Sequence, residues 1–144
     1  MSNRPIYEAT VKIDPLPKVR MTQRSKWTPA SNRYLQYQEA LSWEFKSKLC
    51  LSDFPMGHDI SFPVIISVVI FLNHNRKSDF SNLLKAIEDA LQHAGIVKND
   101  HLIEGCVESY LYRQSPEGGL IVKLFKRNID DNKYNPVYFT RGTR

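Results

Sequence analysis

The feature that most constrains the fold is a nearly continuous apolar run at residues 64–72, rich in Val and Ile and followed by an amphipathic segment. A strand that is apolar on both sides is typical of a central strand that is covered on both faces of its sheet. In residues 80–94 the apolar side chains recur at helical spacing and form one stripe, and Gly95 is a natural helix terminator. These two segments predict a buried strand followed by a helix that packs on the sheet.

Further elements flank this unit. We predict strands at 6–13, 102–112 and 120–126, with a hairpin turn at 115–119 joining the last two. A helix is predicted at 34–49, capped by Ser31 or Asn32, after a basic loop at 18–33 that Pro29 interrupts. The order predicts an α/β (α+β) fold: a single two-layer domain at residues 1–126, with a mixed β-sheet and helices packed against it. Residues 127–144 are predicted to form a C-terminal tail.

Charge and cysteine usage narrow the class of protein. Lys and Arg outnumber Asp and Glu by 20 to 15, a formal net charge of +5, which suits a polyanionic partner without specifying one. No apolar run reaches the roughly 20 residues that a membrane helix needs, and the N-terminus lacks a signal-peptide core. Cys50 and Cys106 lie far apart without a CxxC partner, which excludes a zinc or disulfide framework. We therefore expect a cytoplasmic protein with no membrane segment.

Polar residues cluster at the two ends of the predicted helix at 80–94. Asp79 lies at its start, Asp100 lies beyond its end, and the face opposite the apolar stripe carries Asn82, Lys85 and Asp89. Acids at two such junctions can converge in space although they are distant in sequence. Each also has a purely structural interpretation: Asp79 as a helix N-cap, Asp89 as a solvated helix residue and Asp100 as a turn residue.

This stretch resembles the RusA-type Holliday junction endonucleases, a family common in phages and prophages. The matching pattern is Asp79-x-Ser81-Asn82-Leu83-x-Lys85-Ala86-x-x-Asp89-Ala90-Leu91 followed by Asp100. The similarity extends from the Pro15-x-Pro17-Lys18 loop to the final predicted hairpin. The resemblance implies a RusA-like fold and a homodimeric DNA endonuclease of recombination and repair. Such an enzyme is a nuclease and hydrolase that cuts four-way (Holliday) junctions with Mg²⁺, for which Mn²⁺ can substitute.

The resemblance also implies residue roles. Asp79 and Asp100 match metal-site aspartates, and Lys85 matches the functional lysine, so these three are the catalytic candidates. Asn82 and Asp89 match supporting positions. Ser81 stands where the family has a second metal-site aspartate.

The serine at position 81 predicts a weaker metal site, because it supplies only a neutral oxygen. Glu88 lies on nearly the same strip of the helix as Ser81 and is the candidate replacement ligand, which gives Asp79, Asp100 and Glu88 as the expected metal set. Glu104 and Glu108 are other candidates. Two hypotheses follow: a metal-dependent junction endonuclease, or a junction-binding protein that has lost cleavage. A small interaction protein without a nucleic-acid role would leave the motif a coincidence.

Basic residues flank the motif in sequence and are expected to neutralise DNA phosphates, which would make binding steeply salt-dependent. They are Lys18, Arg20, Arg24, Lys26, Arg76 and Lys77. The alternative interpretation is a solvated basic loop that contacts nothing.

Overall fold

The computed structural model describes residues 4–19, 27–48, 59–75 and 77–127. These form β1 (Tyr7–Val11), α1 (Pro29–Lys46), β2 (Val64–Phe71), α2 (Phe80–His93), a 3₁₀ turn (Asp100–Leu102), β3 (Ile103–Cys106), β4 (Tyr110–Tyr112) and β5 (Gly119–Lys126). The strands build one mixed five-stranded sheet that packs with two helices. The predicted single-domain α+β fold is therefore confirmed.

The apolar strand β2 lies at the centre of the sheet, as predicted. It pairs antiparallel with β5 from Val64↔Lys126 to Phe71↔Gly119, and β1 pairs antiparallel with β5 on the far side. On its other side β2 pairs in parallel, first with β3 and then with β4. A central position satisfies the backbone of the most apolar strand on both sides, so none of its length forms an edge.

The predicted hairpin between the last two strands is wrong. β4 and β5 pair with opposite sides of β2, so their connection passes over the end of β2 instead of folding back on itself. Along this crossing, the Ser115 N–H donates to the Leu72 carbonyl at 2.8 Å and the Gln114 N–H to the His74 carbonyl at 3.2 Å. Residues 115–119 do form the connection between β4 and β5, but β2 lies between those two strands.

The single strand predicted at 102–112 is divided into β3 and β4. Between them Glu108 takes a positive φ of 44°, which breaks the ladder. Side chains restore the lost bonds, since the Val68 N–H donates to Ser109 Oγ at 3.0 Å and Ser67 Oγ donates to the Glu108 carbonyl at 3.1 Å. A bulge of this kind lets β4 run alongside β2 after β3 has ended.

Helix α1 begins earlier than predicted. Its first residue is Pro29 and its N-cap is Thr28, whose hydroxyl accepts from the Ser31 N–H at 3.2 Å. Proline suits the first helical position because it lacks an N–H that would go unpaired there, so Pro29 starts the helix instead of breaking it. Ser31, proposed as a cap, is a buried residue inside the first turn.

The core lies between the sheet and the two helices. Alternate residues of β2, such as Val68 and Ile70, are fully buried with Leu41 of α1 and Ile87 of α2. The intervening residues of β2 face the opposite side of the sheet, and all but one of them are only partly buried: Ile65, Val69 and Phe71, with Ser67 buried. The expectation that both faces are fully covered is thus met on the helix side only.

Three expectations concern regions outside the core. Within the described ranges, neither helix combines the length and apolar character that crossing a membrane requires. Cys106 is an exposed free thiol, and Cys50 lies outside the described residues. The predicted tail at 127–144 also lies outside them from residue 128 onward.

Candidate active site on helix α2

Asp79 is the N-cap of α2. Its Oδ1 accepts from the Ser81 N–H at 3.1 Å, and its backbone carbonyl accepts from the Leu83 N–H at 3.1 Å. The residue is exposed, as are Ser81 and Asn82 in the first turn. The structural role considered for Asp79 is therefore present, and it leaves the carboxylate at the surface.

Asp100 lies against the other end of the same helix. Its backbone N–H donates to Oε1 of Gln92 at 3.1 Å, and the preceding Asn99 accepts from the His101 N–H at 3.2 Å as the cap of the 3₁₀ turn. Gln92 is one turn beyond Glu88 on α2. The loop after α2 thus returns the Asp100 carboxylate to the side of the helix that carries Glu88.

Glu88 is a half-buried acid in an acidic neighbourhood. Its pKa is raised to about 7, first by burial and then by the carboxylates of Asp100 and Asp89, while the ammonium groups of Lys85 and Lys18 act in the opposite direction. These four charged groups therefore lie near Glu88. The structure therefore brings together two of the predicted metal ligands, Glu88 and Asp100, with the predicted catalytic Lys85.

Asp89 forms an ion pair with Lys18. The distance from Lys18 Nζ to Asp89 Oδ2 is 3.0 Å, and the Tyr34 hydroxyl donates to the same oxygen at 3.3 Å. The backbone N–H of Lys18 also donates to the Asn82 carbonyl at 3.0 Å. Lys18 is thereby held along α2 at two points, next to Glu88.

The support for Asp89 comes from the buried face of α1. Gln38 Nε2 donates to the Tyr34 hydroxyl at 3.1 Å and to the Ala86 carbonyl at 2.8 Å. Burial, and then the charge of Asp89, raises the pKa of Tyr34, which keeps the hydroxyl protonated as a donor. Sequence reasoning missed this network. Its one available signal was Gln38, a polar residue among the apolar positions of the helix.

The predicted metal set is not assembled within one chain. Asp79 and Glu88 are separated by about 13 Å along α2, at about 1.5 Å per residue. In the described parts of the chain, no three His, Cys, Asp or Glu side chains come close enough together to hold a metal ion. Of the alternative ligands, Glu104 forms an ion pair with Arg127, and Glu108 lies in the bulge before β4.

Glu88 and Asp100 nevertheless suit a divalent cation. Mg²⁺ takes carboxylate oxygens and water as ligands, and these two residues supply that donor type. Burial is the largest cause of the raised pKa of Glu88, and repulsion from the carboxylates of Asp100 and Asp89 adds to it. A cation beside this pair would relieve that repulsion, and one more carboxylate would complete an ordinary ligand set.

Two of the predicted DNA contacts can be located. Lys18 is near Glu88 with its side chain 44% exposed, and Lys77 is exposed just before α2. The others lie outside the described residues: Arg20, Arg24, Lys26 and Arg76. Both located lysines are therefore at the surface that carries the candidate site.

Comparison with known proteins agrees with this site. The family Endodeoxyribonuclease RusA matches residues 12–124, a segment that contains both helices, β2 to β4 and all the acids discussed above. Crossover junction endodeoxyribonuclease RusA from Aquifex aeolicus (strain VF5) is 28% identical over 106 residues, which cover 67% of this chain and 82% of that protein. Since the family match spans well over half of the sequence, the chain belongs to the RusA family of endodeoxyribonucleases.

Proposed function

We propose that this protein is a structure-specific endonuclease that cuts four-way DNA junctions in recombination and repair. The observation that carries the proposal is the family match over residues 12–124, which includes the clustered Lys85, Glu88 and Asp100. The Aquifex aeolicus relative is named a crossover junction endodeoxyribonuclease, which supports a branched substrate. Such an enzyme would act on DNA in the cytoplasm, in keeping with the expectation from the sequence.

We propose that the reaction depends on Mg²⁺, with Mn²⁺ as a substitute. Glu88 and Asp100 would hold the cation, together with an Asp79 carboxylate. The cation would lower the pKa of bound water and neutralise charge that develops on the phosphate. Lys85 and Lys18 would bind non-bridging phosphate oxygens through their ammonium groups, and Asp89 would orient Lys18 by the 3.0 Å ion pair.

We further propose that the active species is a homodimer. Resolution of a four-way junction needs two symmetric incisions, and two identical sites related by a two-fold axis supply them. The separation of Asp79 from Glu88 and Asp100 supports this state, because a second copy can contribute the missing carboxylate. Light scattering tests the assembly: a fully active monomer at the working concentration would contradict it.

The second candidate function is a junction-binding protein without cleavage. The specific observation in its favour is Ser81, which stands where the family has an aspartate and whose backbone N–H contacts Asp79. A serine hydroxyl would hold a cation more weakly than a carboxylate. This candidate keeps the same basic surface and the same fold, so only an activity measurement separates the two.

The deciding experiment uses a synthetic mobile four-way junction with Mg²⁺, with Mn²⁺ and with EDTA. Symmetric nicking that requires the metal supports the endonuclease. Tight binding without nicking supports the second candidate. Absence of binding would overturn both functions and leave a family member with a different substrate.

A further inference from the structure

Three aromatic side chains lie side by side on the sheet. The rings of Phe71 and Tyr112 stack with centroids 5.4 Å apart and planes 13° from parallel, and Tyr110 lies 6.5 Å from Tyr112 at a tilt of 44°. The register pairs Tyr112 with Phe71 and Tyr110 with Val69, which places these side chains on one face. We call Phe71, Tyr110 and Tyr112 the aromatic row.

The aromatic row is on the face of the sheet that the helices do not cover. Its strand partners on β2 alternate with the fully buried Val68 and Ile70, which point towards the helices. Tyr110 and Tyr112 are 55% and 51% exposed. A single exposed apolar residue is ordinary on a protein surface, but adjacent exposed rings form a flat aromatic surface.

The end of β4, which carries two residues of the row, lies next to the loop that leads into Asp79. Arg113 follows Tyr112, and its Nη2 donates to the Ser78 carbonyl at 3.3 Å, one residue before Asp79. The Leu72 N–H donates to the Tyr112 carbonyl at 2.8 Å, which fixes β4 to the strand that leads into this loop. These two hydrogen bonds connect the end of β4 to the loop that leads into Asp79.

We propose that the aromatic row is a stacking surface for unpaired DNA bases, with Arg113 beside it as a phosphate contact. Aromatic side chains on an open sheet face bind nucleotides in this way because every base presents a π-face. This inference rests on the proposed action on branched DNA, since a branch point is where bases leave their stack.

Charge favours DNA over a second copy of the chain as the occupant. Arg113, the residue that follows Tyr112, is exposed, and the chain has a net charge of +5. A nucleotide supplies both a flat ring and an anion, whereas a second copy would bring the same net positive charge against this surface.

The test compares Tyr110→Leu/Tyr112→Leu with the wild type. Leucine keeps apolar bulk on the strand but removes the π-face, and Tyr110→Phe/Tyr112→Phe keeps the rings. Trp43→Ala is the matched control, because Trp43 is an exposed aromatic on α1 with 72% exposure. The probes are a four-way junction with 2-aminopurine at the branch, oligo(dT) and a blunt duplex, all in EDTA so that cleavage cannot occur.

We expect the leucine pair to lose about tenfold in affinity for the junction and for oligo(dT), the effect of one lost stacking contact. Duplex binding should change less than twofold, and the phenylalanine pair and Trp43→Ala should bind as the wild type does. The 2-aminopurine fluorescence should differ between the wild-type complex and the leucine-pair complex.

Equal affinity of the leucine pair and the wild type for both probes would overturn the inference while leaving the proposed function intact. A leucine pair that is smaller than the wild type by light scattering would overturn it as well, since the row would then be a contact between copies. If the wild type binds oligo(dT) but binds the four-way junction no better than the duplex, the proposed substrate is wrong. The affinities of the wild type and the leucine pair for oligo(dT) still decide the role of the row.

Discussion

At the residue scale, Glu88 carries the clearest signature of a working site. Its carboxylate is half-buried beside the carboxylates of Asp100 and Asp89, an arrangement that raises its pKa to about 7. A protein gains nothing in stability from crowding three acids, and perturbed groups of this kind concentrate at functional positions. The same acid should therefore show opposite effects on stability and on activity when it is neutralised.

We expect Glu88→Gln to stabilise the protein at pH 8 and to leave its stability unchanged near pH 4.5. The folded state keeps the Glu88 proton up to about pH 7, whereas an ordinary glutamate releases it near 4.5. The charged group thus opposes folding above pH 7, and this penalty is lost as the pH falls to the unfolded value. The gain at pH 8 should be about 1 kcal/mol, reduced by solvent screening of a half-exposed group.

Thermal melts at the two pH values measure this difference. The control is Glu39→Gln, which changes an exposed acid on α1 and should not stabilise at either pH. A Glu88→Gln variant that melts at the wild-type temperature at pH 8 would show that its surroundings impose no penalty on the charge.

Activity should respond to position 88 and not to position 81. If Glu88 already supplies the missing carboxylate, Glu88→Gln abolishes cleavage as completely as Asp79→Asn, and Ser81→Asp changes it little. We expect this outcome because Glu88 already provides a carboxylate beside Asp100. A Mg²⁺ titration of junction cleavage for each variant gives the answer. Normal cleavage by Glu88→Gln, with a gain for Ser81→Asp, would mean that the site is deficient.

At the scale of elements, a continuous apolar run predicted β2 and helical periodicity predicted α2, because each segment must bury its own apolar side chains. The errors came from features whose meaning depends on partners distant in sequence. Pro29 reads as a breaker until Thr28 caps the helix that it starts. The turn at 115–119 reads as a hairpin until β2 is known to lie between the strands that the turn connects.

In the candidate site too, residues within one local motif could be predicted, whereas contacts between distant segments could not. The resemblance to the family pattern predicted Asp79, Lys85 and Asp100, and the position of Glu88 on the same helical strip as Ser81 made it a candidate ligand. The support of Lys18 by Asp89 and Tyr34 joins three segments of the chain. No local pattern indicates that Lys18 and Tyr34 will both contact one oxygen of Asp89. This network could therefore be found only in the three-dimensional structure.

The crossing over β2 predicts a specific sensitivity at Gly119. A Cβ there would lie 2.7 Å from the Val11 carbonyl oxygen, a backbone atom of the neighbouring strand β1. At Gly105, a Cβ would meet only the terminal methyl of Ile65, at 2.9 Å, which can rotate away. We expect Gly119→Ala to lower the free energy of unfolding by about 2 kcal/mol and Gly105→Ala by about 0.5 kcal/mol.

Urea denaturation of both glycine variants measures these differences. An equal loss of unfolding free energy in Gly119→Ala and Gly105→Ala would mean that β1 can shift away from Gly119. The order of the two effects matters more than either value, because both substitutions add the same methyl group to a strand.

At the scale of the whole molecule, the positions of the acids bear on the assembly. Asp79 and Asp100 are joined to opposite ends of α2, yet the resemblance to the family pattern predicts both as metal-site residues. A site made within one chain would require one ion to bridge the separation of about 13 Å along α2 between Asp79 and Glu88. A two-fold dimer removes that difficulty if Asp79 of each copy faces Glu88 and Asp100 of the other.

Mixing two inactive variants tests this arrangement. We expect Asp79→Asn and Asp100→Asn each to abolish cleavage and to spare junction binding, since neither removes a cation that contacts phosphate. When the two are unfolded and refolded together, half of the dimers should be mixed. If the sites are shared between copies, each mixed dimer has one site with both substitutions and one with neither. About a quarter of the wild-type number of sites should then be intact.

The product distinguishes the models as sharply as the rate does. One intact site per mixed dimer should release single nicks in the junction and few resolved duplexes, because resolution needs two incisions in one complex. If each site lies within one chain, every site in the mixture carries a substitution and no nicking appears. The control is each variant refolded alone, which should stay inactive under either model, so cleavage that appears only on mixing would assign Asp79 and Asp100 of one site to different copies.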